Sequence, residues 1–189
     1  MSHEKKLGSH DQLVRRLEYE TVDGQPAFAP TVISINRPHQ EVHEGNTFQA
    51  STYTGTVANN DFVYFALSTT GTANGTHLSW EITAGGDAVV SLYEGFTGTL
   101  TNELSVFNLN RLSPNLSPNS AFEYPVISAY GTLLHTQLLS GGANNQFGGG
   151  IARRDTEWIL AYGKVYLLAT QNIAGTAQPI SIVGQWYQL

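Results

Sequence analysis

The chain has no cysteine, which excludes a disulfide framework and any thiolate metal site. Charge is scarce as well: 13% of residues are charged and the net charge is −6. Nucleic-acid binding by phosphate neutralisation needs clustered Lys and Arg, so no nucleic-acid partner is expected. No apolar run approaches the roughly 20 residues that span a bilayer, and no membrane partner is expected either. The opening MSHEKKLGSHDQLVRR lacks the hydrophobic core of a secretion signal. The triplets Asn74-Gly75-Thr76 and Asn115-Leu116-Ser117 therefore read as turn chemistry, not as glycosylation sites.

What charge there is falls unevenly. Residues 1–37 hold five acids and five bases, whereas the remaining 152 residues hold ten acids and four bases, which accounts for the whole −6. A nearly neutral, densely charged leader (1–30) thus precedes an acidic, sparsely charged body (31–189). In the leader, Ser9 as a cap, Asp11 near the N-terminal end and Arg15 and Arg16 toward the far end predict a short helix over Ser9–Tyr19. Its apolar content is too small for an independent core, so the leader is expected to act as an arm that orders on a neighbour. Pro26 and Pro30 predict an extended connection into the body.

The body reads as short β-type runs. HLSWEIT (His77–Thr83) alternates cleanly, with Leu78, Trp80 and Ile82 inward and Ser79 and Glu81 outward. DFVYFALST (Asp61–Thr69) is apolar on both faces, the pattern of a strand between two layers. Similar runs are TVISIN (31–36), AVVSLY (88–93), ELSVFN (103–108), EYPVIS (123–128), EWILAY (157–162), VYLLAT (165–170) and ISIVGQWY (180–187). Gly, Asn, Ser and Pro clusters separate them, and no helical period is evident. About eight strands without intervening helices predict an all-β sandwich or jelly roll, with a closed barrel as the alternative. Trp80, Trp158 and Trp186 occupy alternating positions and are expected in the core.

Reactive centres are harder to find. Gly148-Gly149-Gly150 is followed by a strand-type run, not by a helix N-terminus, so a phosphate cradle is excluded. The tract instead predicts a long loop between strands ending near Leu139 and opening near Glu157, a length that marks partner contact or disorder. Phe147, Arg153 and Arg154 on that loop, with Arg15 and Arg16 of the leader, are the candidate partner-binding residues. Bidentate guanidinium–carboxylate pairing would suit the arginines, and a local pair with Asp155 or Glu157 is the competing role. His39 and His43, with Glu41 and Glu44, raise the question of a metal. On a strand, positions four apart lie about 13 Å from each other, too far for one ion. Gly45 argues against a helix that would bring them together, so no metal or other cofactor is expected. No Gly-x-Ser-x-Gly elbow occurs. His77 and His135 are expected at the surface, and Asp61, Glu81 and Glu94 lack the aromatic platform of a glycosidase.

Three segments nevertheless form a recognisable series. PHQEVHEGNTF (Pro38–Phe48), VVSLYEGFTGTLTNELSVFNLNR (Val89–Arg111) and ARRDTEWILAYGKVYLLATQN (Ala152–Asn172), closed by the aromatic GQWYQL, together resemble the capsid decoration, or cement, proteins of tailed bacteriophages. Ala161 stands where that family often has lysine, and residues 1–30 lie outside the resemblance. The resemblance implies a jelly roll with no catalysis and no cofactor. It implies a protein made in the host cytoplasm that sits on the outer capsid surface of the virion. Its partner there would be the major capsid protein, bound by a homotrimer. A carbohydrate- or receptor-binding jelly-roll module is the alternative; it needs exposed aromatics on a concave face, for which Tyr93, Tyr130 and Tyr166 are the candidates.

Overall fold

A computed structural model describes residues 14–20, 26–32, 37–70, 75–141 and 157–188. Strand β1 (Val14–Glu20) pairs antiparallel with β2 (Pro26–Val32) as a hairpin. This corrects the helix expected over Ser9–Tyr19. A lone helix of that length is marginal in water, whereas the hairpin gives each strand a ladder of partners. Pro26 and Pro30 lie on β2, which among the described strands pairs only with β1, and an edge strand tolerates prolines whose missing N–H faces away from the ladder. TVISIN contributes only Thr31 and Val32 to this strand; residues 33–36 lie outside the described segments.

A second correction follows at Arg37–Glu44, which is a helix, α1. Pro38 sits in its first turn, where a missing N–H is harmless. Gly45 is not an obstacle to the helix but its terminator: its φ is +76°, the left-handed cap conformation that glycine adopts without strain. The Gly45 N–H bonds the Val42 carbonyl and the Asn46 N–H bonds the Glu41 carbonyl.

Twelve strands follow: β3 (Thr47–Val57), β4 (Phe62–Ser68), β5 (Thr76–Ala84), β6 (Ala88–Glu94), β7 (Thr97–Thr99), β8 (Phe107–Asn108), β9 (Ser120–Glu123), β10 (Val126–Ala129), β11 (Thr132–Leu139), β12 (Trp158–Leu160), β13 (Val165–Asn172) and β14 (Gln178–Gln188). Ten of them build two five-stranded antiparallel sheets, ordered β12-β5-β14-β3-β8 and β11-β6-β13-β4-β9, and β7 pairs with β10. The pairing is nested: β3 with β14, β4 with β13, β5 with β12 and β6 with β11. First pairs with last and second with last but one, as in a long ribbon rolled over itself. That is a jelly roll, and the all-β expectation holds.

The core lies between the sheets. Leu78, Trp80 and Ile82 of β5 face Phe65, Leu92 and Leu168 of the other sheet, with Trp186 fully buried and Trp158 packed at the margin. Gly184 of β14 is glycine for a reason of space: an added Cβ would lie 2.6 Å from the Phe65 ring. The two-faced reading of β4 also holds. Val63, Phe65 and Leu67 enter the inter-sheet core. Ala66 and Tyr64 enter a second cluster with Leu167 and Phe96, covered by Leu100, Ile127 and Tyr130 around the short β7–β10 pair.

Three strands expected in the body are much shorter, EWILAY keeping only Trp158–Leu160. ELSVFN keeps only Phe107–Asn108, with Glu103 in an isolated bridge to Phe122. EYPVIS is interrupted at Tyr124 (φ 51°) and Pro125, so β9 ends at Glu123 and β10 begins at Val126. The eleven-residue β3, TFQASTYTGTV, is not foreseen by the sequence reading at all.

Candidate docking surface

The polar residues of the recurring segments meet one another. Asn108 Nδ2 donates to the Gly45 carbonyl at 2.8 Å and to the Asn115 carbonyl at 3.1 Å, while its Oδ1 accepts from the Asn110 N–H. Asn110 Nδ2 donates to the His43 carbonyl at 2.9 Å, and its Oδ1 accepts from the Leu112 N–H. The Asn-Leu-Asn of one segment therefore reads the backbone of the His-Glu-Gly of another. A side chain on Gly45 would meet Ser113 Oγ, so this contact too requires glycine. Likewise, Tyr166 of the third segment donates its hydroxyl proton to Glu94 of the second at 2.6 Å and accepts the Ala161 N–H.

These bonds brace one surface loop at both ends. At its start, the Leu109 N–H bonds the Thr47 carbonyl. At its far end, Ser117 Oγ accepts from the core Trp186 Nε1 at 3.0 Å, and Asn119 Nδ2 donates to Thr76 Oγ1. Yet the loop displays Leu112 at 96% exposure and Leu116 at 88%. Phe107, at its base, is exposed with the Arg111 guanidinium 5.5 Å from its ring centre. Leu116 also walls a shallow groove of about 300 Å³ with Asn46, Phe48 and Gln188. Surface leucines are ordinary singly. Two almost wholly bare leucines on a hydrogen-bonded loop are an anchor geometry, because little ordering entropy remains to oppose docking.

A titratable cluster lies elsewhere, beside a groove of about 440 Å³ between α1 and the sheet. Glu157 accepts from Tyr187 Oη at 2.6 Å and lies 3.2 Å from His77 Nδ1, and the His77 and Tyr187 rings stack. Burial, and then the bond to Glu157, push the Tyr187 phenol above its ordinary range. The cluster ties β5 and β14 to the segment entering β12. His77 is thus half-buried and engaged, and His135 packs beside Trp80 and Trp158, which corrects the surface placement expected for both.

His39 and His43 lie on one face of α1 with their Nε2 atoms 3.1 Å apart, not at strand spacing. Asp61 and Glu81 are exposed on their own, and Glu94 is engaged by Tyr166. Among the described residues no group of three His, Cys, Asp or Glu is placed to hold a metal ion, and no helix is long and apolar enough to cross a membrane. Of the aromatics considered for a sugar platform, Tyr166 is buried, while Tyr93 and Tyr130 pack together in the second cluster.

The sequence-selected contact residues fare differently. Arg15 and Arg16 fall on β1, opposite Thr31 and Pro30. Phe147, Arg153 and Arg154 lie outside the described residues; the flanking strands β11 and β12 end at Leu139 and begin at Trp158, close to the positions expected. The Asn108–Asn119 loop escaped sequence reading as a contact site; its signal was SPNLSPN, leucine set among turn residues. Comparison with family models, curated proteins and solved structures found no match to this chain.

Proposed function

We propose that the chain is a capsid decoration protein: a structural component that binds the outside of a phage head between major capsid subunits, as a homotrimer, and stabilises the expanded shell. The observation that carries this reading is the braced loop presenting Leu112 and Leu116. The ordered resemblance over Pro38–Phe48, Val89–Arg111 and Ala152–Asn172 points the same way. So does the fate of the segments' polar groups: Asn108, Asn110, Glu94, Tyr166 and Glu157 are spent on internal bonds, which suits segments that describe a scaffold. A sugar-binding role is less well supported, because Tyr166 is buried and Tyr93 and Tyr130 are packed.

The test is co-sedimentation with expanded, empty heads of the phage that encodes the chain. The wild type should saturate the heads at a fixed ratio to the major capsid protein. Burying a leucine is worth about 1.5–3 kcal/mol. Leu112→Asp with Leu116→Asp should therefore weaken attachment by about 100-fold or more, with the melting temperature unchanged. Failure of the wild type to bind heads would refute the role; full binding by the double variant would refute this surface.

A further inference from the structure

The helix α1 carries an arrangement that docking does not use. His39 and His43 are both exposed, one turn apart, with Nε2 atoms 3.1 Å from each other and rings at 85°. Imidazole nitrogens bind borderline divalent ions at about 2.0–2.1 Å. Two such nitrogens 3.1 Å apart subtend about 95–102° at an ion equidistant from both. That lies between the right angle of neighbouring ligands on a tetragonal or octahedral ion and the wider tetrahedral angle zinc prefers. In the free protein the same spacing lets one Nε2–H donate to the other ring; when an ion binds, that ring carries its proton on Nδ1 instead, so that both neutral rings present an Nε2 lone pair.

The helix is also held in position. Glu41, buried beneath it, pairs with Arg37 Nε at 3.7 Å and accepts from Asn46 Nδ2 at 3.1 Å. Asn110 fixes the His43 carbonyl, and Gly45 fixes the helix end. The two rings therefore hang from a backbone that does not have to order when an ion arrives. The chain beyond Arg37, which carries the whole −6, favours a cation there.

We propose that His39 and His43 form a bis-imidazole chelate for a divalent ion of the Cu2+/Ni2+ class, with water in the remaining coordination positions. This site stands independently of the capsid role.

The test is calorimetric titration of Ni2+, and separately Cu2+, into the full chain in a His3→Ala background. That background removes an imidazole close to the amino terminus that would compete for the same ions. One equivalent should bind, and His39→Ala or His43→Ala should each lower the affinity by about tenfold or more. Alanine is a strong helix former, so α1 persists in these variants, and an unchanged melting temperature in metal-free buffer checks it. Binding that survives the double His39→Ala/His43→Ala substitution, or tighter binding of Zn2+ than of Ni2+, would overturn the proposal.

Discussion

Tyr64, Tyr166 and Tyr187 hold their phenolic protons more tightly than a free tyrosine does. Burial is the largest cause in each, reinforced by a hydrogen bond to Tyr130, Glu94 and Glu157 respectively. The folded-state values therefore lie above the unfolded value of about 10. Their contribution to stability is complete below about pH 10 and is lost as pH rises further, because the unfolded chain releases protons that the native chain retains. The melting temperature should accordingly fall steeply above about pH 10. Replacing all three by Phe should flatten that fall; an unchanged slope would show that other groups drive it. At neutral pH, Tyr166→Phe alone should lower stability by about 1–3 kcal/mol, since the Glu94 carboxylate and the Ala161 N–H lose their shared partner.

The loop between β8 and β9 shows how a short element without regular structure can be made rigid. Asn108 is buried and satisfies two carbonyls and one N–H. Asn108→Ala should cost about 1–3 kcal/mol and free the loop, so that limited proteolysis cuts within residues 109–118 while the two sheets stay intact. A loop as resistant as the wild type would mean that Ser117 and Asn119 suffice to brace it. The runs DFVYFALST and HLSWEIT were legible because period-two hydrophobicity is a local signal. TFQASTYTGTV was not, because its inward positions include small or polar residues such as Ala50 and Thr52, and its burial is granted by the opposing sheet. Helix α1 is hidden in the sequence because a glycine reads locally as a helix breaker, whereas Gly45 stands at the one position where it caps the helix. The contact loop was invisible for another reason. Asn108 and Gly45 are 63 residues apart, and no local pattern announces that one will hold the other.

The nested pairing of the jelly roll makes the body a closed unit: β3 and β14 lie side by side, so the described chain enters and leaves the sandwich on neighbouring strands. Among the described strand pairings, β1 and β2 pair only with each other. None of the described strands of the two five-stranded sheets takes a partner from the hairpin. The hairpin also moves the sensible point of division. Strand β2 runs through residue 30 to Val32, so a cut after residue 30 would split a strand, whereas a cut after Val32 removes the hairpin whole. A chain lacking residues 1–32 should melt at the same temperature as the full chain and attach to expanded heads less tightly. Attachment as tight as that of the full chain would assign docking to the sandwich alone, through Leu112, Leu116 and their neighbours. A lower melting temperature would instead show that the hairpin packs on the body and belongs to its fold, and the leader would then be no arm.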